Sequence, residues 1–128
     1  MRARRYKLTL ASVLAILVAA GMALPAAASA PARMLVIAQE WSLTLSRGAV
    51  PPGPLTVQLY DRGQDAHNLN IRRLGANRRM LGRTQRVSLT RSGGLRQATW
   101  RLAPGRYELY CSLPGHLKLG MKAFLTVR

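Results

Sequence analysis

The sequence predicts an all-β domain, an antiparallel Greek-key β-sandwich of about seven to eight strands. Three observations carry that prediction. Apolar and polar residues alternate over short runs, the runs are bounded by Gly, Pro, Asp and Asn, and no sustained helical period appears beyond the first thirty residues. The first strand is expected near Met34 to Ile37, and Trp41-Ser42-Leu43-Thr44-Leu45 alternates as a second. Val50-Pro51-Pro52-Gly53-Pro54 is a rigid turn before Leu55-Thr56-Val57-Gln58-Leu59-Tyr60. Arg62-Gly63-Gln64-Asp65 turns the chain into a strand near Asn68 to Arg72. Leu74 to Gln85, basic and containing Gly and Asn, is the least strand-like piece and is expected as a loop with a short helix. Arg86 to Thr90, Ala98 to Leu102, Tyr107 to Tyr110 and Ala123 to Val127 complete the set, with turns at Ser92-Gly93-Gly94 and Ala103-Pro104-Gly105. Trp41, Trp100, Tyr107 and Phe124, at alternating positions, are expected in the core.

The chain has 128 residues, with 20 Lys+Arg against 4 Asp+Glu and a formal charge of +16. That length allows one ordinary domain. Residues 1–30 have the layout of a secretory signal peptide: a basic head (Arg2, Arg4, Arg5, Lys7), an uncharged run from Leu8 to Leu24, then Pro25 and small residues to Ala30. Cleavage after Ala28 or Ala30 fits, although Pro31 disfavours the second. An uncleaved anchor helix is the alternative, with an apolar run at the short end for a bilayer. The residues after Arg4-Arg5 match a twin-arginine signal poorly. Either way residues 31–128 form the exported domain, periplasmic or extracytoplasmic. Without the four basic residues of the head, sixteen cations face four acids, a net of +12. A single Cys111 rules out an internal disulfide, leaving a free thiol, an intermolecular bridge or a metal ligand.

Cys111-Ser112-Leu113-Pro114-Gly115-His116-Leu117-Lys118-Leu119-Gly120-Met121 reads C-x4-H-x4-M. The cysteine ends one strand, the methionine begins another, and Pro114-Gly115 turns the chain between them. Thiolate, imidazole and thioether therefore project from one loop. The remaining histidine, His67, opens another strand, and a sandwich brings such strand ends together. His67, Cys111 and His116 in a plane with Met121 above it make a set that suits mononuclear copper: soft sulfur favours Cu(I), imidazole serves both oxidation states, and little moves when an electron arrives. Zinc is the weaker alternative, because its structural sites rarely use Met.

The stretch from Ala103 to Val127 resembles the C-terminal signature of the blue copper proteins, the cupredoxins of the plastocyanin/azurin family. Asp65-Ala66-His67-Asn68-Leu69 resembles that family's first ligand segment. The ligand-loop spacing is similar to rusticyanin and auracyanin and longer between Cys and His than in plastocyanin. The resemblance covers essentially the whole exported domain, with only these two segments sharply matched. It implies one type 1 copper ion with His67, Cys111 and His116 equatorial and Met121 axial. It also implies that Asn68 and Ser112, each beside a ligand, tie the two segments together by hydrogen bonding. A surface histidine ringed by apolar residues would be the electron's exit, and Leu113, Pro114, Leu117 and Leu119 could form that ring.

The function expected is one-electron transfer between redox partners, with copper delivery without an electron shuttle as the alternative. A Met-rich or His-rich tail, which would favour delivery, is absent. A Cys111–His116 nucleophile pair lacks an orienting acid, so no enzyme is expected. Glu40, Asp61, Asp65 and Glu108 are too few and scattered to form a catalytic pair. Nucleic-acid binding is not expected, since the arginines are dispersed and lack interleaved aromatics. The basic charge instead suits an acidic redox partner protein or an anionic surface, met by a monomer, with a membrane involved only if the N-terminal helix is retained.

Overall fold

A computed structural model describes residues 30–128, leaving the expected signal peptide outside the described residues apart from Ala30. The order of elements is β1 (Ala32–Gln39), β2 (Ser42–Leu45), β3 (Ala49–Val50), β4 (Gly53–Asp61), β5 (His67–Leu74), a 3-10 turn (Ala76–Arg78), β6 (Met80–Thr90), β7 (Leu95–Leu102), β8 (Gly105–Tyr110) and β9 (Lys122–Val127). Two sheets face each other, ordered β2-β1-β4-β7 and β3-β9-β8-β5-β6. The expected sandwich is present. Most of its pairings are antiparallel, but β1 pairs with β4 and β3 with β9 in parallel. Parallel neighbours need a long connection, and β2 and β3, lying in different sheets, supply it for the first pair.

Alternation decides what each strand buries. Met34, Val36 and Ala38 of β1 and Leu55, Val57 and Leu59 of β4 line the inner side of the four-stranded sheet, Met34 beside Val57 and Val36 beside Leu59, and Leu69, Ile71, Leu109, Leu125 and Val127 line the other. Trp100 and Tyr107 lie in this core as expected, the Tyr107 hydroxyl donating to the Ala103 carbonyl at 2.8 Å. Trp41 and Phe124 do not: they are 36% and 51% exposed. Trp41 sits in the turn after β1, and Phe124 shares the outward row of β9 with Lys122 and Thr126.

The 74–85 stretch also departs from expectation. It holds the short 3-10 turn, but most of it is the end of β5 and the first half of β6, paired with each other from Leu74–Met80 onward. Leu81, Gly82, Arg83 and Thr84 are all exposed, so no burial alternation marks this half as strand. Further along, Gln85 spans the gap between the sheets. Its side-chain amide donates to the Arg101 carbonyl at 3.0 Å and accepts from the Arg101 N–H at 2.9 Å.

Candidate metal centre

Strand direction and parity assemble three of the expected donors. β8 runs antiparallel to β5 on one side and to β9 on the other, so its C-terminal end lies beside the N-terminal ends of both. His67 opens β5, Cys111 comes directly after β8 and Met121 precedes β9. His67 is in phase with Leu69 and Ile71, Cys111 with Tyr107 and Leu109, and Met121 with Leu125 and Val127. Each therefore ends an inward-facing row, and all three are fully buried. The strand pairing carries one step past β8, where the Cys111 N–H donates to the Met121 carbonyl at 3.2 Å.

His116 comes from the connection between β8 and β9, which is coiled by its own backbone. The His116 N–H donates to Leu113 O (3.2 Å), the Leu119 N–H to Gly115 O (3.1 Å) and the Met121 N–H to His116 O (3.1 Å). Gly115 takes φ 83°, a left-handed conformation that glycine adopts without the steric cost of a side chain. The loop thus returns the His116 ring over the strand ends. His116 Nδ1 lies 3.3 Å from His67 Nδ1 and 3.5 Å from Cys111 Sγ, and the three donor atoms are all within 4.8 Å of one another. Three donors around one ion with bonds of about 2.0–2.3 Å stand roughly 3.5–4 Å apart in a plane. The spacing fits a single transition-metal ion, and the thiol–imidazole chemistry selects a soft one. Among the described residues no other group of three His, Cys, Asp or Glu donors comes this close. Met121 packs in the core beside this group.

The surrounding contacts tie the centre to both sheets. The Ser112 N–H donates to Asn68 Oδ1 at 2.8 Å and Asn68 Nδ2 donates to Ser112 Oγ at 2.9 Å, so the residues after the first histidine and after the cysteine are bonded together. Asn70 Nδ2 adds a bond to Asn68 Oδ1 at 3.0 Å. The four-stranded sheet and its turns contribute three residues, Glu40, Asp61 and Trp41, that sequence reasoning does not place here. Glu40, in the β1–β2 turn, takes His67 Nε2 at 3.1 Å and the N–H groups of Gln64 and Asp65 at 2.8 Å each, all on Oε1. Those donors, the Asp65 N–H foremost, hold the Glu40 carboxyl down at about 2, so it is anionic at neutral pH. Asp61, which ends the inward row of β4, is fully buried and accepts the His67 N–H at 3.1 Å and the Gly63 N–H at 2.9 Å. Gly63 makes this approach possible, because a Cβ there would stand 2.8 Å from both His67 Nε2 and Glu40 Cδ. Trp41 meets the His116 ring edge-on, with centroids 4.8 Å apart.

Of the apolar ring expected around His116, Pro114 and Leu119 are exposed, Leu117 is half-buried and Leu113 packs partly against the core. One signal for the missed carboxylates was present in the sequence: Asp61 continues the inward parity of Leu55, Val57 and Leu59, so an acid was bound to lie in the interior at that end.

Neither a protein-family model nor a curated protein matches the chain. Solved structures do. Auracyanin A, described as a "blue" copper protein of the green thermophilic photosynthetic bacterium Chloroflexus aurantiacus, is 17% identical over 77% of this chain and 100% of its own, with a TM-score of 0.61. A dithionite-reduced auracyanin from Roseiflexus castenholzii is 23% identical over 78% and 99%, with a TM-score of 0.57. Rusticyanin from Thiobacillus ferrooxidans is 16% identical over 75% and 76%, with a TM-score of 0.61. At these identities the likeness shows the fold, which is the cupredoxin β-sandwich, the one implied by the resemblance of the Ala103–Val127 segment.

Proposed function

We propose that this chain is an exported mononuclear blue copper protein that carries one electron at a time between redox partners, without turning over a substrate. The observation that carries this reading is the convergence of His67 Nδ1, His116 Nδ1 and Cys111 Sγ at one end of a cupredoxin-like sandwich. These three atoms would hold the ion, with the Met121 thioether, buried beside them, as the further donor that the family resemblance implies. Bound there, copper supplies a Cu(II)/Cu(I) couple.

The protein's own part is preorganisation. Strand ends fix His67, Cys111 and Met121, and the Asn68–Ser112 bonds lock the two segments together, so the donors need little rearrangement between oxidation states. Burial of the same three residues keeps water from the thiolate. His116, half-buried and met edge-on by Trp41 on a loop that also carries Pro114, Leu117 and Leu119, is the electron's exit. A set of donors held this closely favours a shuttle over copper delivery, which would require the metal to leave.

The partner we propose is an acidic redox protein. On the outer face of the five-stranded sheet, Arg72, Arg86, Arg106 and Lys122 project beside Tyr110 and Phe124, and the one acid there, Glu108, is held by Arg72 Nε at 2.7 Å. A face of this charge raises encounter rates with an acidic surface and does so less at high salt. The test is a Cu(II) titration of the exported domain followed by visible absorption and EPR. The expected end point is one copper per chain, an intense blue band and narrow hyperfine splitting, all lost in Cys111→Ser. A colourless end point, or a Ser variant that stays blue, refutes the assignment.

A further inference from the structure

Only four carboxylates occur in this strongly basic chain, and two of them converge on one histidine. Glu40 Oε1 is 3.1 Å and Asp61 Oδ1 4.0 Å from His67 Nε2, and among the described residues neither acid pairs with a lysine or arginine. Half of the chain's acidic side chains are thus gathered beside His67. The arrangement is also directional. His67 points Nδ1 at His116 and the thiol, and Nε2 away from them at Glu40.

We propose that Glu40 is the positioning residue that prepares His67 for the metal and holds the centre's reduction potential down. The inference rests on the copper reading above and deepens it. A carboxylate can only accept, so Nε2 carries the proton and Nδ1 keeps its lone pair for the metal. The ring is aimed before any ion arrives, because Glu40 is itself fixed by the N–H groups of Gln64 and Asp65 and by the close approach that Gly63 allows. Electrostatics gives the second half. A negative charge across the imidazole stabilises Cu(II) more than Cu(I), and although Glu40 is partly exposed, its Oε1 lies directly against the fully buried His67 ring. Asp61, buried and bonded to the His67 backbone N–H, fixes the residue's main chain.

Glu40→Gln separates the two roles, because the amide oxygen can still accept from His67 while the charge is gone. Its potential is expected to rise by a factor of ten or more in the Cu(I)/Cu(II) ratio, about 59 mV per tenfold for a one-electron couple, with the blue band retained. Glu40→Ala is expected to show that rise and also to lose the acceptor. Nitrogen NMR of the histidine rings in the metal-free protein reads the positioning role directly. His67 is expected as the Nε2–H tautomer with a slowly exchanging proton in the wild type and Glu40→Gln, and as a fast-exchanging ring in Glu40→Ala. An unchanged potential in Glu40→Gln, or a His67 ring protonated on Nδ1 in the wild type, overturns the proposal. If no blue centre forms even in the wild type, the copper reading fails, and the metal-free NMR still decides whether Glu40 orients the ring.

Discussion

His67 and His116 direct the same nitrogen toward the same point, 3.3 Å apart, yet the molecule holds them by different means. His67 is fully buried and gripped through both ring and backbone. Glu40 takes its Nε2, Asp61 takes its main-chain N–H, and both acids come from the opposite sheet. His116 is half-buried, carried on a loop coiled by its own amide–carbonyl bonds, and touched by the edge of Trp41. One side of the centre is therefore specified by tertiary contacts between sheets, and the other by a local segment that needs little from the rest of the fold. For the copper carrier proposed above, the difference suggests a division of roles: the gripped side would set geometry and charge, and the lightly covered side would be where an electron leaves.

The sharpest way to break this comparison is to delete each ring in turn. His116→Gly opens a gap next to solvent, so added imidazole is expected to enter it and restore the blue band nearly completely. His67→Gly leaves a sealed gap lined by two carboxylates, and imidazole is expected to restore little. Equal rescue in an absorption titration would show that the two sides are not held differently. A smaller effect is expected from Met121→Leu, which keeps the volume of the gripped side and removes a weak donor. Loss of that donor disfavours Cu(II), so the potential should rise while copper is retained, and an unmoved potential in voltammetry would mean Met121 packs without coordinating. The smallest effect belongs to the lightly covered side. Trp41→Ala removes one ring edge from His116 and should cost about 0.5–1.5 kcal/mol in denaturant unfolding of the metal-free domain, with the blue band little changed.

The same contrast governs what was legible in the sequence. Cys111, His116 and Met121 lie within eleven residues, and chemistry, spacing and turn residues all act locally there, so the loop-held side could be read directly. The partners of His67 could not. Glu40 reaches it across 27 positions and from another sheet, and only the docking of the β1–β2 turn on the β4–β5 turn creates the contact. Acids scattered along the chain are gathered in space. The aromatic misplacements have a similar origin. In Ala123-Phe124-Leu125-Thr126-Val127 alternation permits either face to be inside, and Leu125 and Val127 take the core while Phe124 is left out. The strand through Leu81 to Thr84 was hidden for the opposite reason, since an edge exposed on both faces carries no alternation to read.

The placement of the first and last strands bears on how the domain forms. β1 lies between β2 and β4, and β9 lies between β3 and β8, so both occupy interior positions of their sheets. Neither sheet is complete until later segments arrive: β1 waits for β4, β3 and β8 wait for β9, and the Cys111 N–H waits for the Met121 carbonyl just before β9. Long-range pairings of this kind make folding slow. The candidate metal centre, built where β8 ends beside the starts of β5 and β9, is consequently complete only when the last strand has docked. If the centre takes copper as proposed, metal acquisition would report completed folding, and a chain that stalls short of β9 would carry its thiol without the metal.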